Sequence, residues 1–385
     1  MKKVIILGFV PAVLFMASCK KENTTTNITP TQELKIPYNT LTTTSNYENT
    51  FVDDNGKSTV DFSGQTTRRN MLKELDGYIK TGLTVNISAT KMADMFQNQN
   101  NAFADANLNA ATSKQLNTKT AASFNATAAD AERQRFMGYF SKLESLSMMN
   151  TQTASQGQAG VLDGKRLVDE KGVEYAQLVS KGFIGALMLD QIANVYLGTD
   201  KQSADNTTPE SGSNYTAMAH HWDEAYGYLT SNSVYPVKGE ESYLGEYARQ
   251  GTSIHGTPEQ LYLTFLKGRA AIVNNDLTTR DEQITYIRSE LEKAVATVAI
   301  SYLNKTNTAT DDASRFHELS EGTGFVYSLR FAHNAKVNAA KSDELMNKLM
   351  GKTNGFWSLT ASDIDAVRDE LATIFGIDKT TVVNH

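Results

Sequence analysis

Glu174 to Leu197 reads EYAQLVSKGFIGALMLDQIANVYL. From Gly182 onward this stretch is apolar almost all round. A helix without a polar stripe has no side to turn toward water, so other elements must cover it on every face. Gly182 and Gly185 each lower helix propensity by ~1 kcal/mol relative to Ala. That cost makes sense where a second helix approaches closely. Asp190 interrupts the apolar face, which places a carboxylate in the interior. A buried carboxylate needs a cation or hydrogen-bond donors, and Arg269 or Arg330 would supply one. The alternative role for Asp190, and for Glu174 at the head of the segment, is metal ligation.

The surrounding sequence supplies the covering helices. Met71, Leu72, Leu75, Tyr78 and Ile79 form one stripe at helical spacing, and Phe136, Phe140 and Leu143 form another. Thr257-Pro258-Glu259-Gln260 has the pattern of a capping box with proline at the first helical position. Thr279-Arg280-Asp281-Glu282 has the pattern of a second box. It introduces a long helix with the face Ile284, Ile287, Leu291, Val295, Val298 and Tyr302. Ile364, Val367, Leu371 and Ile374 mark the last helix. Between these helices, Thr151–Gly164, Gly198–Ser213 and Val234–Ser242 have loop character. YENTFV and STVDF flank the turn DDNG, which allows a short β-hairpin or loop region before residue 66. The fold class expected is all-α: a large up-and-down helical bundle, with the option of two pseudo-related half-bundles.

The N-terminal sequence MKKVIILGFVPAVLFMASC has a basic start, an apolar run too short to span a bilayer, and small residues before Cys19. Cys19 is the single cysteine among 385 residues. A lone thiol directly after such a run is explained by lipidation and cleavage. The expected organisation is a signal peptide at 1–18, a Thr-rich polar tether at 19–34 and a helical domain at 35–385. Cleavage removes Lys2 and Lys3, so 37 basic residues become 35 against 43 acidic ones, and the net charge moves from −6 to −8. An acidic chain with no basic run is not a nucleic-acid binder by composition. The membrane, through an N-terminal lipid, is the expected partner, with the domain on the outer membrane facing periplasm or cell surface.

The chemistry concentrates in HHWDEAYGY, His220 to Tyr228. On a helix Glu224 lies four residues from His220 and three from His221, so a carboxylate shares a face with each imidazole. Such His/Glu turns build metal sites inside helical bundles. A second turn repeats the spacing: His317, Glu321, Gly324 and Phe325 match His220, Glu224, Gly227 and Tyr228. The metal set expected is therefore His220, His221, Glu224, His317 and Glu321, with Glu174 and Asp190 as additional ligands. The alternative is a pair of self-satisfied polar turns in the core. His255 and His333 have no acidic partner at helical spacing. No nucleotide loop, nucleophile elbow, zinc-protease motif or catalytic cysteine is present.

The stretches DFSGQTTRRNML, VEYAQLVSKGFIGALMLDQIANVYLG, HHWDEAYGYL, FLKGRAAIVNND and HELSEGTGFVYSLRF resemble a family of Gram-negative lipoproteins whose domain has no assigned function. That family is similar to the imelysin-like proteins, whose signature is Gly-x-His-x-x-Glu. Here His221 and Glu224 match it, with Ala219 in the glycine's place. The resemblance implies a helical, exported or anchored protein linked to iron uptake and an outer-membrane uptake partner. It is expected to bind rather than catalyse. The alternatives are a structural or accessory lipoprotein binding a protein or glycan, and a metal-dependent peptidase of the imelysin type.

Overall fold

The computed structural model describes Met1 and residues 34–382. Cys19, the cleavage site and the tether up to residue 33 lie outside the described residues. The elements run α1 (Tyr47–Thr50), α2 (Ser63–Thr81), α3 (Ala89–Gln97), α4 (Ala106–Ala110) and α5 (Ala126–Ser147). A two-stranded hairpin follows, β1 (Gly160–Leu162) and β2 (Arg166–Val168). Next come α6 (Tyr175–Phe183), α7 (Thr199–Gln202), α8 (Ala217–Leu229), α9 (Leu244–Tyr247), α10 (Pro258–Val273) and α11 (Leu277–Thr308). The last three are α12 (Asp312–Ser328), α13 (Ala339–Met350) and α14 (Ala361–Phe375). From Lys35 on, the chain packs as one compact, all-α unit.

The apolar stretch is the centre of this bundle. Phe183, Ile184, Leu187, Met188, Leu189 and Ile192 are completely buried. Its glycines are contact points. A Cβ on Gly185 would stand 2.6 Å from the Ser328 Cβ, and one on Gly182 would stand 3.2 Å from the Tyr327 ring. Only a residue without a side chain lets α12 cross so closely. The crossing is also hydrogen-bonded: the Ser328 hydroxyl donates to the Lys181 carbonyl (2.6 Å) and accepts from the Gly185 N–H (3.0 Å).

Beyond Phe183 this helix is not α. Ile184–Leu189 and Gln191–Tyr196 are π-helical, on either side of Asp190. A loop inserted against the helix accounts for the change. The Ala121 N–H bonds to the Ala186 carbonyl at 2.7 Å, and the Gln191 side chain donates to the Lys119 carbonyl at 2.9 Å. Ala121 adopts φ 53° to do this, a left-handed conformation that is uncommon for a residue with a Cβ.

The long-helix face on α11 is buried as its spacing predicts, from Ile284 through Tyr302. Its start is different. Asp276 caps the helix by accepting from the Thr279 N–H, so Thr279 is the third residue of α11 and not its cap. Thr257 does cap α10, with Pro258 at the first position. Strand pairing is also placed differently from expectation. Residues 47–50 are helical, and the DDNG turn closes a single bridge between Val52 and Ser58. The hairpin lies at 160–168, its first strand and turn within the stretch 151–164 read as loop, where Asp163-Gly164 adopts the positive φ angles of a tight turn.

Candidate functional site

Thr216 caps α8, its hydroxyl accepting from the Ala219 N–H. The helix then turns Trp222, Asp223, Ala225 and Tyr226 inward and leaves His220, His221 and Glu224 half-buried at the surface. The inward face is structural. Trp222 packs over Gly268 of α10 and donates to the Phe265 carbonyl (3.0 Å). Tyr226 stacks on Tyr47 with centroids 4.1 Å apart. Asp223 is fully buried against the Arg269 Nε (2.9 Å) and accepts from the Tyr47 hydroxyl (3.0 Å). Burial pushes its pKa up to about 6, although the Arg269 charge opposes the rise.

The outward face is polar and positive. His220 stacks on Tyr215 (4.5 Å), His221 Nδ1 meets the Lys201 carbonyl (3.1 Å), and Glu224 accepts from the Gln65 amide (2.9 Å). Around them stand Arg68 from α2, Lys114 and Lys119 from the loop after α4, and Lys201 from α7. The Lys119 ammonium donates to the Tyr196 hydroxyl (3.3 Å). None of these four cations forms an ion pair among the described residues. Burial lowers the pKa of Lys119, and the charges of Arg68, Lys201 and Lys114 lower it further, against Glu224. His221 is likewise held below its ordinary 6.5, first by burial and then by the Lys201 charge, while the Lys201 carbonyl and Glu224 act the other way.

The second turn is a closed chain of charges between α6 and α12. His317 Nδ1 meets Glu174 at 2.7 Å, and Nε2 faces Glu321 at 3.5 Å. The Lys181 ammonium, itself buried, pairs with Glu321 at 2.9 Å. Burial raises the Glu321 pKa, yet Lys181 and His317 more than reverse this and leave it below its ordinary value. The two carboxylates lie at opposite nitrogens of one imidazole, so they do not converge on a common point. Gly324, four residues beyond Ser320, is where the Lys181 stem crosses: a Cβ there would meet the Lys181 Cβ at 2.6 Å. Gly227 serves the same purpose on α8, against the Phe62 Cβ at 2.5 Å. The repeated spacing thus marks two helix crossings.

His220, His221 and Glu224 therefore stand in one polar network and His317, Glu321 and Glu174 in another, with no hydrogen bond or ion pair joining them. Among the described residues no three His, Cys, Asp or Glu side chains are grouped to hold a metal ion. Asp190 has no ion pair among the described residues. It accepts from the Ser123 hydroxyl, the Ser123 N–H (3.1 Å) and the Asn194 amide (3.1 Å). Burial raises its pKa against these donors. The arginines expected beside it are engaged elsewhere, Arg269 with Asp223 and Arg330 with Glu132 (3.0 Å). His255, without an acid at helical spacing, finds Glu290 of α11 at 2.6 Å. That pair and the basic group on α8 come from distant segments, and local spacing carries no signal for either.

No helix of the described residues is long and apolar enough to cross a membrane. No curated protein and no solved structure matches this chain. The sequence profile of a domain of unknown function, DUF4856, matches residues 46–378. That span contains α8, α12 and every residue of both polar networks, and the chain belongs to the DUF4856 family.

Proposed function

We propose that this protein is an exported, lipid-tethered, non-catalytic binding protein whose ligand surface is the outward face of α8. One observation carries the reading. Many interior acids and bases are engaged with one another, as in Asp223–Arg269, Lys181–Glu321–His317–Glu174, Arg330–Glu132 and His255–Glu290. The α8 face instead gathers a buried Arg68 and half-buried Lys114, Lys119, Lys201 and Glu224, none of them in an ion pair among the described residues. Groups locked in pairs are poorly placed for proton transfer, whereas unpaired ones at a surface are available to a ligand. The apolar run ending at Cys19 and the polar stretch that follows support export and tethering at an outer membrane. The likeness to imelysin-like proteins points the same way.

A metal such as iron, suggested by the His/Glu spacing, needs His221, Glu224, His317 and Glu321 in a shared shell. Their hydrogen bonds run to different parts of the bundle, and the cations around α8 oppose a further positive charge. A metal-dependent peptidase needs the same shell. An accessory lipoprotein that binds a partner protein is the second reading. Val85, Met148 and Met149 are exposed on adjoining segments, linked by the Ser147–Ile87 and Asn150–Gly82 hydrogen bonds.

The test of the tethered reading is metabolic labelling with a tagged fatty acid, followed by mass spectrometry of the membrane fraction. An acylated chain beginning at Cys19 is expected, and Cys19→Ala should release the protein from the membrane. A soluble, unacylated mature chain would overturn it.

A further inference from the structure

We infer that the α8 face binds an oxyanion, a phosphate-type group on the ligand, seated among Arg68, Lys114, Lys119 and Lys201. This rests on the reading of α8 as the ligand surface and adds the ligand's chemistry. The protein is acidic overall, at −6, yet four cations from three separate segments meet here. Three acids are within electrostatic reach: Glu224 acts on Lys119, Asp61 responds to Lys114 and His220, and Asp190 acts on the Tyr228 hydroxyl beneath. The cations outnumber them, and gathering like charges is costly unless an external counter-ion joins them.

Arg68 makes the strongest case. Its side chain is 5% exposed, and a charge so buried normally has a carboxylate partner. Arg68 has none among the described residues. It donates to the Gln115 carbonyl (3.1 Å) and the Gly64 carbonyl (3.2 Å), and it lies against the Tyr228 hydroxyl. These two bonds hold the guanidinium in place through its Nε and Nη1.

The other parts are close by. A Cβ on Gly64 would stand 3.2 Å from the Lys114 Nζ and 3.5 Å from the Arg68 Nη1, so both charges border one point. Gly64 lies in the first turn of α2, where the Asp61 carboxylate accepts from the preceding Ser63 N–H (2.9 Å). Its amide is among the N–H groups that an α-helix leaves without an intrahelical acceptor. Lys119 extends the group along the Tyr196 ring toward His221 and Lys201. Beneath lies the Tyr228 hydroxyl, fully buried between Arg68 and Glu224. His220 Nδ1 is buried without a partner. Cations without ion pairs, two of them bordering one point, match the demands of an oxyanion with several acceptor oxygens.

The test is calorimetric titration of the detergent-solubilised full chain with inorganic pyrophosphate and, in parallel, with dihexanoyl phosphatidic acid in monomeric form. Saturable binding of pyrophosphate supports a soluble phosphate-bearing ligand. Binding of the lipid alone supports a membrane headgroup at the same seat. In either case, raising NaCl from about 50 to about 500 mM should weaken binding, as screening requires. Lys114→Gln with Lys119→Gln should weaken it about tenfold or more, each lost charge-assisted bond contributing on that scale. Lys142→Gln, which removes an exposed partner of Glu170, should leave it unchanged. Circular dichroism checks that each variant is folded. No saturation by either probe up to ~10 mM, a very weak affinity on any scale, would overturn the inference. So would equal affinity in the Lys114/Lys119 variant. Neither outcome touches the acylation of Cys19, which tests the tethered reading separately.

Discussion

Replacing Arg269 by Leu isolates the energetics of the α8–α10 contact. Arg269 is 2% exposed and Asp223 is 0% exposed. The guanidinium also donates to Thr59 (3.2 Å) and lies over the Phe51 ring at 5.0 Å. Its removal leaves Asp223 with the Tyr47 hydroxyl as its one hydrogen-bond donor, and Asp223 Oδ2 has no partner even in the wild type. Stranding a buried charge in this way costs roughly 3–5 kcal/mol. The cost depends on pH in a definite direction. The folded Asp223 pKa, about 6, lies above the ordinary 3.8. The folded chain therefore holds a proton that the unfolded chain has released. This group favours the fold most below the unfolded value, and the contribution is lost as pH rises through the folded one. Without Arg269 the folded pKa rises further, since the charge that lowered it is gone. At pH 8 the variant should lose the full amount. At pH 5 Asp223 is protonated in the fold, and the loss should shrink to roughly 1–3 kcal/mol of hydrogen bonding and packing. Adding Asp223→Asn should recover most of the loss at pH 8. The assay is urea unfolding at both pH values, followed by tryptophan fluorescence, because Trp222 sits on Gly268 in the same contact. Equal losses at pH 5 and pH 8, or a double variant no better than the single one, would refute the reasoning.

Gly185→Ala should destabilise by ~1–3 kcal/mol through overpacking against Ser328. Gly138→Ala, with nothing within 4 Å of its Cβ, should stabilise α5 by roughly 0.5–1 kcal/mol; thermal melts of the two compare them directly. Sulfate, which keeps its two charges throughout, should bind the α8 face more tightly as pH falls through the lowered folded pKa of His221, because that imidazole then adds positive charge beside Lys201. A metal ion would show the reverse trend as the imidazoles protonate, so titrations at pH 5.5 and 7.5 separate the two ligand classes. Glu290→Gln leaves His255 a neutral hydrogen-bond partner. It should therefore cost less than Glu290→Leu, which strands a buried imidazole at about 1–3 kcal/mol; urea midpoints of both variants decide it.

The Glu174–Leu197 stretch by itself determined a buried central helix, because a segment without a polar stripe is stable only when covered. Apolar spacing likewise determined which faces of α2, α5, α11 and α14 turn inward, and the interior glycines announced close crossings. These are one-dimensional signals: burial is written into each helix by its own periodicity. The partners of the polar groups are not. Asp223 meets Arg269 across 46 residues and Glu174 meets His317 across 143, and only the packing of whole helices brings such pairs together. Helical spacing placed Glu224 beside the histidines and Glu321 beside His317. It could not foresee that Gln65 and Lys181 would take those carboxylates first. The π-helical register around Asp190 depends on a loop docking from residues 119–124, so no local propensity encodes it. The basic group on α8 is assembled from positions 68, 114, 119 and 201, where an acidic sequence shows no basic run. Tertiary structure alone made those four charges neighbours, because electrostatic environment depends on distance in space and not on distance along the chain.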